Sequence, residues 1–166
     1  MNKYMILCVD DERDVLDAVL HDLSPLANEF HLEACESVNE ARELLAESTA
    51  DGVKLALILC DHMMPGERGV DFLIELEQQD FTQRARKVLL TGQAGLEETV
   101  EAVNNASLDY YIAKPWNAVE LRQIVIDQLT TYVIESESNL LPWVQILDAD
   151  RLMNAISERR LDFSDN

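Results

Sequence analysis

Short continuous apolar runs alternate along this chain with segments whose apolar residues recur at helical spacing. That is the pattern of repeated strand–helix units on a parallel sheet. Tyr4 to Val9 is apolar throughout and reads as a strand buried on both faces. Val15, Leu16, Val19, Leu20 and Leu23 then fall on one helical face, with Pro25 near its end. Phe30 to Cys35 behaves differently: Phe30, Leu32 and Ala34 alternate with His31, Glu33 and Cys35, the period of a half-covered edge strand. Ser37, with Glu40 three residues on, predicts a helix start ahead of Val38, Ala41, Leu44 and Leu45.

The alternation continues. Leu55 to Cys60 reads as a buried strand, and Val70, Leu73, Ile74 and Leu76 as a helix. Lys87 to Leu90 is the next strand, followed by a helical stripe of Leu96, Thr99, Val100 and Val103. Tyr110 to Ala113 is a fifth strand, and a long helix should run from an Asn117 cap to about Ile134. Right-handed connections put helices on both faces of an open sheet. The edge character of the second strand favours the strand order 2-1-3-4-5. The expected fold is therefore α/β, a doubly wound five-stranded parallel sheet. From Glu135 to Asn139 the chain turns polar and reads as a linker or bend. Beyond it come Leu140-Leu141-Pro142-Trp143, then Ile146-Leu147, then a short helix carrying Leu152, Met153 and Ile156, with Asp150 as its cap.

Charge narrows the partners. Only 13 Lys and Arg stand against 32 Asp and Glu, a net charge of −19. A domain that binds nucleic acid by itself needs a basic face, so the expected partners are proteins and cations rather than DNA or an anionic membrane. No stretch approaches the roughly 20 apolar residues of a membrane span, and the start lacks a signal-peptide profile; a cytoplasmic protein is expected. Cys8, Cys35 and Cys60 have no CxxC spacing and read as small buried hydrophobes. His21 and His31 read as ordinary surface or edge residues.

In a doubly wound sheet, ligands bind beyond the carboxyl ends of the strands. Strand one ends in Asp10-Asp11, strand three in Asp61, strand four in Thr91 and strand five in Lys114. Each alone has an ordinary explanation: a helix cap, a turn residue, a strand end, a solvated charge. Their coincidence at one end of contiguous strands calls for chemistry. Three gathered carboxylates repel one another, Lys114 offsets one charge, and a hard divalent cation such as Mg²⁺ or Mn²⁺ would offset more. Asp61 sits centrally, where a nucleophile attacking phosphorus belongs. Thr91 and Lys114 can hold phosphoryl oxygens.

These residues lie within Val9-Asp10-Asp11-Glu12, Leu59-Cys60-Asp61-His62-Met63-Met64-Pro65-Gly66, Leu90-Thr91-Gly92 and Tyr111-Ile112-Ala113-Lys114-Pro115-Trp116. Together the motifs resemble a response-regulator receiver domain of two-component signalling, a flavodoxin-like (βα)5 fold. The resemblance covers residues 3–134 and leaves 135–166 as a linker and short amphipathic helical tail. It implies that Asp61 accepts a phosphoryl group from a histidine kinase or phosphotransfer protein, a signalling role rather than an enzyme's. It further implies that Asp11 binds Mg²⁺ directly, Asp10 largely through water, and Met63 through its backbone carbonyl. Thr91 and Tyr111 would form the switch, Lys114-Pro115 would be cis, and the output surface would comprise helix four, strand five and helix five. Met63 and Gln93 flank the path of hydrolytic water in the family, and an apolar Met63 cannot orient that water, so slow self-dephosphorylation is expected.

Two other classes fit less well. An aspartate-nucleophile phosphatase expects DxD, and Asp61-His62-Met63 lacks the second acid. A flavodoxin-like cofactor binder expects Ser/Thr/Gly-rich loops where Asp10-Asp11-Glu12 stands. His62-Met63-Met64 has soft-metal character but is better explained as part of the receiver loop. The tail has too few residues for a helix-turn-helix. It should dock on helix five, which carries consecutive Ile124, Val125 and Ile126, or pair with its copy in a homodimer; it could equally be the stub of a larger regulator.

Overall fold

The computed structural model describes residues 3–92 and 95–164. Five parallel strands lie in the order β2-β1-β3-β4-β5: β1 Tyr4–Val9, β2 His31–Cys35, β3 Lys54–Cys60, β4 Arg86–Leu90 and β5 Tyr110–Ile112. The helices are α1 Arg13–Asp22, α2 Val38–Ala50, α3 Gly69–Glu77, α4 Leu96–Asn105, α5 Ala118–Ser136 and α6 Ala149–Ser164. The expected α/β fold and strand order are therefore the observed ones. Alternation along β1 divides the core in two. Tyr4, Ile6 and Cys8 face α1, α5 and the tail, while Met5, Leu7 and Val9 face α2, α3 and α4. All three cysteines are buried and free.

Local signals act as the sequence suggested. The Ser37 hydroxyl accepts from the Glu40 amide at 3.1 Å, and the Glu40 carboxylate reaches back to the Glu36 amide. Asn117 accepts from the amides of Val119 and Glu120 at the start of α5.

Three expectations need correction. The α4 stripe does not face inward: Val100 and Val103 are 47% and 52% exposed, and Ala102 and Ala106 make the buried contact. Small side chains let this helix lie close to its neighbours, so the bulkier face turns outward. Glu135 and Ser136 belong to α5, and the chain bends only at Glu137. The cap of α6 is Asp148, whose carboxylate accepts from the Arg151 amide at 3.1 Å, rather than Asp150.

The tail folds back on its own chain. Trp143 is buried between Tyr4 and Phe30, with ring centroids 5.8 and 5.7 Å away. Leu140, Leu147 and Leu152 join the same core. Arg151 pairs with Asp127 of α5, and the Arg159 guanidinium donates to the carbonyls of Ile134, Glu137 and Ser138. A cation at that helix end satisfies orphan carbonyls and opposes the helix dipole. The surplus apolar surface of α5 is thus covered within the chain.

Candidate functional site

The sheet's hydrogen-bond ladder runs on into the residues that follow it. The Asp10 amide donates to the Cys35 carbonyl at 3.1 Å, the Asp61 amide to Val9 at 2.9 Å, and the Thr91 amide to Ile112 at 3.1 Å. These backbone bonds fix three side chains at the carboxyl edge before any side-chain contact is made. Register does the rest: Val9 lies beside Cys60, so Asp10 and Asp61 emerge side by side.

Asp10 is fully buried, Asp61 is 4% exposed, and Asp11 faces solvent. One carboxylate oxygen from each lies within 4.8 Å of the other two. Neither Asp10 nor Asp11 is the cap residue of α1; that position is Glu12, whose side chain makes no cap bond. Asp10 Oδ1 instead accepts from the Glu12 amide at 2.8 Å, which fixes its second oxygen toward Lys114. The Lys114 ammonium lies 2.7 Å from Asp10 Oδ2 and 3.6 Å from Asp61 Oδ1. The Lys114-Pro115 bond is cis. The Thr91 hydroxyl donates to the Asp61 carboxylate.

Burial pushes the Asp61 carboxyl above its ordinary range; Thr91, Lys114 and the His62 amide pull it down, and Asp10 adds to the rise. Burial alone would lower the Lys114 ammonium. The Asp10 hydrogen bond and the two carboxylate charges outweigh that effect and hold it above its ordinary value. Three carboxylates thus share one cation in a low-dielectric setting, an arrangement poised for further positive charge. Hard oxygen donors in this number fit Mg²⁺ or Mn²⁺ and suit neither zinc nor copper.

Asp61, Thr91 and Lys114 line a cavity of about 470 Å³ whose walls include Val15, Met63 and Trp116. The Met63 side chain is exposed at its mouth. Tyr111 is half-buried, and its hydroxyl donates to the Thr91 carbonyl at 3.1 Å, while its neighbour Tyr110 points outward. Gln93, expected on the water path, lies outside the described residues.

Several contributors went unforeseen. Gly69 packs so tightly that a Cβ there would sit 1.8 Å from the Asp61 carbonyl oxygen, which seats α3 directly behind the acid. The Trp116 indole donates to Asp22 of α1 at 2.8 Å and tethers the loop that carries Lys114. Arg42 of α2 binds Glu67 and Glu75, holding the loop after Asp61 from the other side. A glycine after a loop, a tryptophan in a loop and an arginine on a helix each look ordinary in sequence. Only the topology makes them neighbours of the site. His62 is buried beside Asp61, and its Nδ1 meets no partner among the described residues.

Residues 6–126 match the model of the response regulator receiver domain. The chain is 34% identical over 111 residues to the hydrogenase transcriptional regulatory protein HoxA of Cupriavidus necator, a match covering 67% of this chain and 21% of HoxA. It is 32% identical over 116 residues to the phosphate regulon transcriptional regulatory protein PhoB of Escherichia coli, covering 70% of this chain and 47% of PhoB. The chain thus spans less than half of each of these relatives. Among solved structures, the signal receiver domain of an HD domain-containing protein from Pseudomonas fluorescens superposes with a TM-score of 0.72 at 26% identity, covering 84% of this chain and 96% of that one. A CheY-like receiver domain protein from Methanospirillum hungatei gives 0.69 at 26% identity, covering 82% and 100%.

Proposed function

This chain belongs to the response regulator receiver domain family, whose members are signalling phosphoacceptors, and on that premise we propose that Asp61 is its phosphoacceptor. The observation that carries the proposal is the shared pocket: Lys114 reaches both Asp10 and Asp61 while three carboxylate oxygens gather within 4.8 Å.

An Asp61 carboxylate oxygen attacks phosphorus in line with the bond to the donor. The donor is a phosphohistidine of a kinase or phosphotransfer protein. An oxygen–phosphorus bond forms, the phosphorus–nitrogen bond breaks, and its electron pair stays on the imidazole. Lys114 and the Thr91 hydroxyl then each bind a phosphoryl oxygen as negative charge arrives on that side of the pocket. Asp10, Asp11, Asp61 and the Met63 carbonyl would hold Mg²⁺ or Mn²⁺, which when bound supplies charge neutralisation for the transferring group. Asp10 stays clamped between the Glu12 amide and Lys114, so the acidic floor does not move during transfer.

The readout follows the Thr91–Tyr111 contact. As Thr91 moves toward the phosphoryl group, its carbonyl carries the Tyr111 hydroxyl with it. The face formed by α4, β5 and α5, where Val100, Val103, Tyr110 and Val119 are exposed, changes shape and meets a downstream protein. Met63 offers no polar atom to a hydrolytic water, so the acyl phosphate is long-lived. No helix among the described residues is long and apolar enough to cross a membrane.

The test is direct. With Mg²⁺ and acetyl phosphate, intact-mass spectrometry should show one phosphoryl group per chain, absent without the metal and absent in Asp61→Asn. Uptake by Asp61→Asn, or a phosphoryl half-life of only seconds in wild type, would contradict the corresponding part of the proposal.

A further inference from the structure

At the opposite end of the sheet from Asp61, the chain forms an open cavity of about 380 Å³. It lies among the amino ends of β1 and β3, the end of α2, the loop before β4 and the last turns of α5. Its size falls within the range of small-molecule pockets, roughly 300–1,000 Å³. Nothing in the phosphoryl chemistry uses it.

Three aromatic rings face this space, those of Tyr4, Phe81 and Tyr132, with Leu45 and Leu55 beside them. Phe81 is 53% exposed at the edge of the cavity. Rings of this kind favour a flat, unsaturated guest through offset or edge contacts. On the wall, Ser136 and the Tyr132 phenol form a polar pair.

The rim adds charge. Lys54 and Arg84 both line the cavity. In a chain of net charge −19, neither forms an ion pair among the described residues, while Lys3, Arg42, Lys87 and Arg151 are all paired. Asp80 shares the rim, and Glu137, which acts on Lys54 from nearby, is already paired with Lys3 at 2.7 Å. One acid beside two cations leaves room for a single negative charge and, with the acidic surroundings, repels a polyanion such as a nucleoside triphosphate.

We propose that this cavity binds a small aromatic monoanion, its ring among Phe81, Tyr132 and Leu45 and its acidic group against Lys54 and Arg84. The full chain is titrated with 8-anilinonaphthalene-1-sulfonate by fluorescence and with 2-naphthoate by calorimetry. One saturable site per chain is expected, with naphthoate displacing the dye. The double variant Lys54→Glu/Arg84→Glu should bind at least about tenfold more weakly, since two favourable charge interactions become repulsive. Thr49→Phe, an exposed position on the lining, should block the cavity and abolish binding without touching the core. Neutral naphthalene-2-methanol should compete poorly. Non-saturating binding, unchanged affinity in either variant, or equal competition by the neutral alcohol would each overturn the proposal. Asp61→Asn should bind the dye as wild type does, because it lies at the other end of β3; the outcome here is independent of the phosphoacceptor reading.

Discussion

Lys87 and Lys114 occupy opposite ends of neighbouring strands, and they are satisfied in opposite ways. Lys87, at the start of β4, is 1% exposed, and its ammonium meets Glu77 at 2.9 Å and the carbonyls of Gln83 and Ala85 at 3.1 and 3.0 Å. Three protons find three acceptors, and one positive charge meets one negative charge. Lys114, after β5, faces two carboxylates with a third close by, so its cluster keeps excess negative charge in a partly open pocket. A buried ion that is fully paired closes a structure; one that is outnumbered leaves work for a ligand. Burial alone does not distinguish structural from functional charge, but the balance of charge around it does.

The largest effects should separate the two lysines outright. Lys114→Ala should slow phosphoryl uptake from acetyl phosphate by on the order of 10²-fold, the usual cost of removing one electrostatic donor from a transferring group. It should also destabilise the metal-free protein, because Asp10 and Asp61 lose their shared cation, and saturating Mg²⁺ should restore that stability by binding only the folded state. Lys87→Ala should cost about 3 kcal/mol or more in urea denaturation, because Glu77 and two carbonyls lose their partner. Mg²⁺ should not rescue it, and the folded fraction should still take up phosphate. Rescue of Lys87→Ala by Mg²⁺, or failure to rescue Lys114→Ala, would erase the distinction.

The two lysines also differ in how far sequence announces them. Lys114 stands in a motif whose spacing to Asp10, Asp61 and Thr91 follows the strand ends, so its role is legible once the strands are. The strands themselves are plain because those buried on both faces read as unbroken apolar runs. Lys87 opens such a run and looks like a strand-edge charge; its acceptors come from the preceding loop and from Glu77, whose approach no local pattern encodes. The same limit explains α4, where a valine stripe has the right period for burial while alanines make the contact. It explains the tail as well. Trp143 and Leu152 are visibly apolar, but docking on the same chain depends on Tyr4 and Phe30 lying within reach.

A smaller effect tests how rigidly the open site is backed. Gly69→Ala places a methyl group 1.8 Å from the Asp61 carbonyl oxygen, so α3 or the end of β3 must shift. Overpacking of this kind costs roughly 1–3 kcal/mol, measurable by urea denaturation. Because the displaced atom belongs to Asp61, phosphoryl uptake should fall as well. A variant that lost stability but took up phosphate at the wild-type rate would show that Asp61 is positioned from β1 and β4 alone.

The smallest expected effect reads the excess charge itself, through pH. Burial raises the Asp61 carboxyl in the folded protein. A group whose folded pKa lies above its unfolded one contributes stability that is complete below the unfolded value, about 3.9 for Asp, and is lost as pH rises through the folded value. As pH rises through the folded value, metal-free wild type therefore loses that contribution. Asp61→Asn, which cannot ionise, has nothing to lose there. It should be the more stable protein at neutral pH without metal, and its advantage should shrink as pH falls through the folded value toward about 4, below which it changes no further. Saturating Mg²⁺ should reverse the order, because the cation stabilises wild type through the carboxylate that the variant lacks. Urea denaturation at several pH values, with and without Mg²⁺, measures both signs. An advantage that did not vary with pH would mean that Asp61 does not carry the excess charge, and the contrast between Lys114 and Lys87 would then have to rest on Asp10 and Asp11.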